Sequence, residues 1–241
     1  MKLLAVDGNS ILNRAYYGIR LLSTKDGQFT NGIYGFLTIP LRMMQEVSPD
    51  AVAITFDMRA PTFRHKMYDG YKAQRKGMPD ELAQQMPPLK ELLGYLGFQI
   101  VEKEGWEADD LLGTFARSCC QSGDKCVIAT GDRDSFQLVS DCVSVRLAST
   151  KGGQPQADFY DVAAIKEKYG AEPLQLIDVK ALMGDSSDNV PGVAGFGETG
   201  ALGPPPAPGS PDYIHEHLDE PDLKPAIKQK PVDGKEKAPL H

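Results

Sequence analysis

The chain of 241 residues has few cysteines, one tryptophan and no long apolar run. Its four cysteines, Cys119, Cys120, Cys126 and Cys142, form no C-x-x-C pair, and no histidine is spaced to join them. We therefore expect no structural zinc and reduced thiols in a cytoplasmic setting. The apolar start, Leu3–Val6, is too short for a signal peptide, and no stretch is long enough to cross a bilayer, so we expect no membrane partner.

Several catalytic signatures are also missing. The sequence contains no Walker loop, no G-x-S-x-G elbow and no H-E-x-x-H motif, which disfavours P-loop nucleotide hydrolysis, serine hydrolysis and zinc proteolysis. The net charge of −7 argues against a broadly basic surface that coats nucleic acid. A local basic patch remains compatible with nucleic-acid binding.

Carboxylates at motif-like spacings are the main feature that is present. Asp7, Asp57 and Asp132 each follow an apolar run, where open α/β sheets place their ligands. Many converging anions need cations, and oxygen ligands favour Mg²⁺ or Mn²⁺. The nine candidate metal ligands are Asp7, Asp57, Glu107, Asp109, Asp110, Asp132, Asp134, Asp185 and Asp188.

Each acidic cluster taken alone also has a structural interpretation. Acids at 107–110 favour the amino terminus of a helix, Asp134 can cap a short helix, and residues 184–189 have the composition of a turn. The metal hypothesis depends on the coincidence of all the clusters.

Apolar runs and helical patterns alternate along the chain. Strand-like runs occupy 2–6, 51–56, 98–101, 126–130 and 143–148, and helical spacing covers 32–47, 80–96, 107–119 and most of 159–183. This alternation predicts an α/β fold with a mainly parallel sheet flanked by helices. We expect Pro40 to kink or shorten the first of these helices, Pro87-Pro88 to interrupt the second and Pro173 to divide the last.

A basic segment, Arg64–Lys76, carries tyrosines among its basic residues. Basic groups bind phosphates and tyrosines stack on bases, so this segment could bind an anionic polymer. A solvated charged helix is the alternative interpretation. Acids for hard metals together with a basic, aromatic segment suggest metal-assisted phosphodiester chemistry.

Seven motifs in order resemble a known family. The chain is similar to the amino-terminal 5′→3′ exonuclease (flap endonuclease) domains of bacterial DNA polymerase I, most densely over residues 1–198. The motifs are Val6-Asp7-Gly8-Asn9, Phe56-Asp57, Phe63-Arg64, Tyr71-Lys72-Ala73-Gln74-Arg75, Glu107-Ala108-Asp109-Asp110, Thr130-Gly131-Asp132-Arg133-Asp134 and Gly184-Asp185-Ser186-Ser187-Asp188-Asn189.

The resemblance implies a PIN-like 5′ nuclease core over 1–183, a helical arch near 61–96 and a helix-hairpin-helix region over 184–218. It implies two or more Mg²⁺ or Mn²⁺ ions. The first five acids of the set above, up to Asp110, would serve the first ion, and Asp132, Asp134, Asp185 and Asp188 would serve the second, several through water. Lys72 and Arg75 would act on the scissile phosphate as catalytic residues.

The same resemblance implies DNA with 5′ flaps, nicks or strand junctions as the partner, and a polymerase domain fused carboxyl-terminally. Potassium could bind at the hairpin. The implied DNA-binding residues are Arg14, Arg64, Tyr71, Lys72, Arg75, Gly192, Gly195 and Gly197, with Tyr71 stacking on a base and Arg14 touching a phosphate.

One stretch departs from the family pattern. Residues 199–211 are rich in glycine and proline, which predicts an incomplete second hairpin helix and suggests a local reading-frame disturbance. From residue 219 to 241 the composition predicts a disordered tail. Three functions therefore remain open: a metal-dependent 5′ nuclease acting on DNA, a catalytically impaired DNA-junction-binding fragment, and a related RNA nuclease.

Overall fold

The structure, a computed structural model, describes residues 1–151 and 154–192. The chain divides into two compact units. The first unit comprises Met1–Phe63 and Gly77–Ala164, and the second comprises Arg64–Lys76 and the chain from Ile165 onwards.

A six-stranded sheet forms the centre of the first unit, in the order β3-β2-β1-β4-β5-β6. The pairs from β3 to β5 are parallel, and β6 runs antiparallel to β5. The predicted mainly parallel sheet is confirmed. The strands are β1 (Lys2–Asp7), β2 (Ala51–Thr55), β3 (Gln99–Val101), β4 (Lys125–Thr130), β5 (Val143–Lys151) and β6 (Gln154–Tyr160).

The register of the three central strands brings their carboxyl ends to one edge. Asp7 of β1 pairs with Thr55 of β2, and Val6 pairs with Ala129 of β4. Residues that follow β2 and β4 therefore lie beside Asp7, because parallel strands end at the same edge of a sheet.

Helices flank the sheet, and their apolar residues form the core with β1 and β2. Ile11, Leu12 and Phe36 from the helices are fully buried with Leu4 and Ile54 from the strands. The helices of the first unit are α1 (Gly8–Gly18), α2 (Asn31–Val47), α4 (Asp80–Ala83), α5 (Met86–Tyr95) and α6 (Ala108–Gln121), with a 3-10 helix at Arg133–Leu138.

The prolines of α2 and α5 do not break these helices where the sequence predicted. Pro40 lies buried inside α2 without shortening it, because the apolar face of the helix buries Phe36 and Met43 on either side of the proline. Pro87 and Pro88 fall in the first turn of α5, where a missing N–H costs little. The prediction that these two prolines interrupt the helix is therefore wrong: the break lies before them, between α4 and α5.

The beginning of the span predicted to be helical from 159 is wrong. Tyr160 ends strand β6, which sequence analysis missed because its residues, Gln154–Tyr160, alternate weakly. The helical part consists of α7 (Val162–Tyr169) and α8 (Gln175–Met183), and Pro173 lies between them as predicted.

The side chain of Gln85 caps helix α2 from outside. Thr30 precedes the helix without a side-chain cap, and the Gln85 carbonyl oxygen accepts from the amides of Gly32 (2.8 Å) and Ile33 (3.2 Å). Gln85 is buried, so these bonds satisfy amides that water does not reach.

Cys120 and Cys142 are joined in a disulfide. This differs from the expectation of reduced cysteines. The pair has no sequence signature, because Cys120 lies in the last turn of α6 and Cys142 precedes β5, and only folding brings them together. Over the described ranges, no helix is both long and apolar enough to cross a membrane.

The second unit contains short elements. Helix α3 (Phe63–Met67) begins at the boundary between the units, and α8 leads into a small antiparallel pair, β7 (Gly184–Asp185) and β8 (Val190–Pro191). Residues 69–74 of the predicted arch form turns and not a helix. The predicted disruption at 199–211 and the tail at 219–241 lie outside the described residues, and the predicted domain boundaries stay predictions.

Gly8 follows Asp7 at the start of α1, where the helix approaches β2 closely. A Cβ at this position would lie 2.5 Å from Phe56 Cε1 and 2.5 Å from the Thr55 carbonyl oxygen. No L side chain fits without moving the helix away from the strand.

We predict that Gly8→Ala lowers the free energy of unfolding by about 1–3 kcal/mol, since overpacking must shift α1 or β2. Urea denaturation of both chains measures this. Gly94→Ala is the matched control because a Cβ there meets nothing within 4 Å, and it should be neutral or stabilising by up to about 1 kcal/mol in helix α5. Equal losses in both variants would contradict the prediction.

Candidate active site

Asp7 lies buried at the carboxyl end of β1 and caps helix α1. Its Oδ1 accepts from the Ser10 amide at 2.9 Å, and its Oδ2 accepts from the Thr130 hydroxyl at 2.8 Å. Burial and, to a smaller extent, the charges of Asp57 and Asp132 outweigh the hydrogen bonds from Ser10 and Thr130, and together they raise the pKa of Asp7 to about 6.

Asp57 follows β2 and connects three elements. Its Oδ2 accepts from Asn9 Nδ2 at 2.9 Å, and its Oδ1 accepts from the Ala108 amide, the first of helix α6, at 2.7 Å. The Asn9 side chain also accepts from the Asp57 amide at 3.2 Å. Asp57 is thus fixed in orientation while its side chain remains exposed.

The acidic cluster before α6 divides into two roles. Glu107 and Asp110 form a capping box, in which the Glu107 amide donates to Asp110 Oδ2 at 2.9 Å. The structural interpretation of these two acids therefore holds. Asp109, between them, is not part of the box.

Asp132 and Asp134 lie in the loop after β4. Asp132 caps the 3-10 helix by accepting from the Asp134 amide at 3.0 Å, so the capping role expected for Asp134 falls to Asp132. The Asp132 amide donates to the Thr130 hydroxyl at 3.0 Å.

Five carboxylates lie at this edge of the sheet, and four of them act electrostatically on the fifth, Asp109. Loss of water around the Asp109 carboxyl raises its pKa well above the ordinary value, and the charges of Asp7, Asp132, Asp57 and Asp134 raise it further. We call Asp7, Asp57, Asp109, Asp132 and Asp134 the carboxylate edge.

The donor set of the carboxylate edge suits a hard cation. It consists of carboxylate oxygens whose mutual repulsion a divalent ion would relieve. Within the described ranges, no three His, Cys, Asp or Glu side chains stand where they could hold one ion directly. An ion such as Mg²⁺ keeps several of its waters, so these acids fit one that is bound partly through water.

Arg14 lies on α1 near the same loop. Its Nη2 donates to the Gly131 carbonyl at 3.0 Å, and its buried Nε has no partner among the described residues. The predicted phosphate contact of Arg14 stays a prediction.

In the second unit, Asp185 is held by a lysine. Its Oδ2 lies 2.7 Å from Lys180 Nζ, and its Oδ1 accepts from the Ser187 amide (2.8 Å) and hydroxyl (2.7 Å). Burial alone would raise the pKa of Asp185, but the Lys180 hydrogen bond and the Ser187 bonds outweigh it and lower the pKa below its usual value.

The basic segment meets the acidic loop within the second unit. Arg75 forms an ion pair with Asp188 and donates through Nε to the Ser187 carbonyl at 3.1 Å. The Lys72 amide donates to the Asp188 carbonyl at 2.8 Å. Lys72 has a φ of 55°, a left-handed conformation that is uncommon outside glycine and clusters at functional sites.

Two further predicted DNA-binding residues have distinct surroundings. Tyr71 is 7% exposed, its ring meets His65 edge-on at 5.1 Å, and Lys72 Nζ lies 4.8 Å from the ring centre. The ring of Tyr71 is thus not presented to solvent for base stacking in this structure. Arg64 is half-buried on α3.

The predicted hairpin glycines are only partly described. A Cβ at Gly192 would collide with the backbone of Met183 and Gly184, so the chain after β8 passes too close to the end of α8 for any other residue. Gly195 and Gly197 lie outside the described residues, as does the hairpin predicted to bind potassium.

Three residues that hold the acids in place were not among the predicted site residues: Asn9 at Asp57, Thr130 at Asp7 and Lys180 at Asp185. Asn9 and Thr130 stand inside the motifs, which was the available signal. Their roles follow from strand register and loop geometry, which spacing does not show.

The parallel sheet and its carboxylate edge are those of a metal-dependent nuclease. Two family models identify the family of nucleases. A model described as "5′-3′ exonuclease, N-terminal resolvase-like domain" matches residues 2–170, and one described as "5′-3′ exonuclease, C-terminal SAM fold" matches 171–241. The chain belongs to the 5′-3′ exonuclease family.

Curated relatives are bacterial DNA polymerases I. That of Caldicellulosiruptor bescii is 42% identical over 238 residues, 99% of this chain and 28% of the relative. That of Bacillus subtilis is 43% identical over 201 residues, 83% of this chain and 23% of the relative. The chain thus spans about a quarter of the length of these relatives.

Solved structures confirm the PIN-like fold. T5 5′-exonuclease with bound divalent metal ions (zinc) has a TM-score of 0.77 at 21% identity, covering 100% of this chain and 87% of that chain. The catalytic core of Rad2 in complex with DNA substrate has a TM-score of 0.57 at 15% identity, covering 97% and 73%.

We predict that the metal-free chain loses stability as pH rises from about 4 to 6. The folded pKa of Asp7, about 6, lies above its unfolded value of 3.8, so the folded state binds more protons in this window. The associated stability is fully present below the window and absent above it. Asp109 acts in the same direction.

Asp7→Asn should remove about 1–3 kcal/mol of this pH-dependent loss. Urea denaturation in chelator at several pH values measures it, with the exposed loop acid Asp26→Asn as control. Excess Mg²⁺ should reduce the loss in the unsubstituted chain. Parallel stability curves for that chain and Asp7→Asn would refute the assignment.

Proposed function

We propose that this chain is a Mg²⁺-dependent 5′→3′ exonuclease and flap endonuclease that hydrolyses DNA at junctions between single and double strands, as in primer or flap removal. The observation that carries the proposal is the gathering of five carboxylates at one edge of a parallel sheet in a chain of the 5′-3′ exonuclease family. The family membership gives the reaction, and the carboxylate edge supplies a site for it.

The carboxylates would hold the ions in two sets. Asp7, Asp57, Glu107, Asp109 and Asp110 would serve the first ion, and Asp132, Asp134, Asp185 and Asp188 the second. When bound, such ions activate the attacking water and stabilise negative charge on the phosphate and the leaving oxygen. The sharing of one cavity by all nine acids stays a prediction.

The residues of the chain would supply orientation and positive charge. Neutral donors such as Ser10, Asn9 and Thr130 fix the acids without cancelling their charge. Arg75 and Lys72 would contact the scissile phosphate, and a guanidinium suits phosphate because it donates in a fork. Arg75 must then exchange its partner Asp188 for DNA.

Structures of similar proteins support divalent metal ions and DNA as the partners of this chain. Structures of the T5 enzyme contain divalent metal ions, one of them together with DNA, and Rad2 binds a DNA substrate. The matched relatives are DNA polymerases I, so we propose a polymerase domain as the usual covalent partner and the bacterial cytoplasm as its location.

The first functional prediction concerns the metal. The chain should cleave a 5′-flap DNA with Mg²⁺ and lose cleavage in EDTA, because the carboxylate edge would then repel the phosphate. Gel analysis of labelled flaps measures product, and Asp26→Asn should behave as the unsubstituted chain does.

Equal product in EDTA would end the proposal. Binding without cleavage would favour the impaired junction-binding fragment, and preference for an RNA flap would favour the RNA nuclease.

The second functional prediction concerns Arg75. Arg75→Ala should lower kcat on flap DNA by about 10²-fold, since a charge that stabilises the transition state is lost. Single-turnover kinetics measures it. Arg42→Ala is the matched control, because Arg42 pairs with Glu46 at 2.9 Å on helix α2 outside the basic segment. Unchanged kcat in Arg75→Ala would remove Arg75 from the catalytic machinery.

A further inference from the structure

Thr130 is the last residue of strand β4, directly before the loop that carries Asp132, and it is fully buried. Its hydroxyl has one proton, which goes to Asp7 Oδ2 at 2.8 Å. The same oxygen accepts the amide of Asp132 at 3.0 Å. One hydroxyl thus touches the side chain of an acid on β1 and the backbone of an acid after β4.

The two bonds fix two different degrees of freedom. The bond to Oδ2, with the Ser10 bond to Oδ1, sets the plane of the Asp7 carboxylate. The bond from the Asp132 amide sets the path of the loop, whose next step is the Asp132 cap on the Asp134 amide at 3.0 Å. Losing the Thr130 hydroxyl would release both at once.

If the Thr130 hydroxyl were removed, water could not take its place as a hydrogen-bond partner, because the side chain has no exposed surface. A valine has nearly the same shape and would leave Asp7 Oδ2 and the Asp132 amide without this partner. A buried polar group left unpaired is costly and moves to find another partner. The carboxylates would then shift even though the fold remains.

We propose that Thr130 is a positioning residue for the metal-binding carboxylates: its hydroxyl sets the orientation of Asp7 relative to Asp132 before any ion binds. The inference rests on the proposed function, since it concerns the same site. Groups that orient metal ligands are worth about 10–100-fold in metal affinity or activity.

Thr55 offers a matched control. It is equally buried on the neighbouring strand β2, and its hydroxyl donates to the Val6 carbonyl at 3.2 Å. Thr55→Val therefore removes a buried hydroxyl from the same sheet without releasing a carboxylate. A purely structural role for Thr130 would make the two valine variants alike.

The experiment compares Thr130→Val, Thr130→Ser and Thr55→Val by Mg²⁺ titration calorimetry on the whole chain and by hydrogen exchange of residues 131–134 without metal. Thr130→Val should weaken Mg²⁺ binding about 10–100-fold and speed the exchange, whereas Thr130→Ser and Thr55→Val stay within about threefold of the unsubstituted chain. Flap cleavage should follow the same order.

Unchanged binding and exchange in Thr130→Val, or equal losses in Thr55→Val, would overturn the positioning role. If Thr130→Val does not fold, Thr130→Ser and Thr130→Ala carry the same comparison, because they differ only in the hydroxyl. Failure of the unsubstituted chain to bind Mg²⁺ would overturn the proposed function. The exchange rates of the valine and serine variants would still decide whether Thr130 holds the loop.

Discussion

Repulsion among the carboxylates at the carboxyl edge of the sheet is the constraint on which the rest of the first unit depends. Parallel register of β1 with β2 and β4 places the acids together, and burial together with their mutual charges raises the pKa values of Asp7 and Asp109. All four hydrogen bonds that hold Asp7 and Asp57 come from uncharged donors. Two are backbone amides, one is the Thr130 hydroxyl and one is the side-chain amide of Asn9. Neutral donors orient an anion and leave its charge for a cation to meet.

The second unit balances its acids differently. Lys180 pairs with Asp185 and Arg75 with Asp188, so positive side chains neutralise these carboxylates directly. The result is opposite in sign, since the pKa of Asp185 falls while that of Asp7 rises. An ion that used Asp185 or Asp188 would compete with a lysine or an arginine. An ion at Asp7 or Asp57 would meet acids held by neutral donors.

The sequence was sufficient to predict the five parallel strands, because apolar runs bounded by polar residues define a buried strand well. It failed where tertiary packing overrides a local signal. Pro40 stays inside α2 because the helix face is anchored by buried residues on both sides, and β6 is an edge strand whose pairing with β5 comes from the sheet.

The acids could be predicted from motifs and strand ends. Their supports, Thr130 and Lys180, depend on which atoms face each other after folding, and spacing does not contain that information.

The buried charge of Asp7 is also hard to explain by folding alone. Asp7 caps helix α1, but serine, threonine or asparagine would cap the same amide without a buried charge. At neutral pH the ionised carboxylate is 4% exposed and lies near other acids, which costs stability. Asp57 likewise bonds the first amide of α6, a role that a neutral side chain could fill. Because the fold needs the hydrogen bonds and not the charges, the charges point to a ligand of opposite sign, and a divalent cation at this edge explains why aspartates stand in both positions.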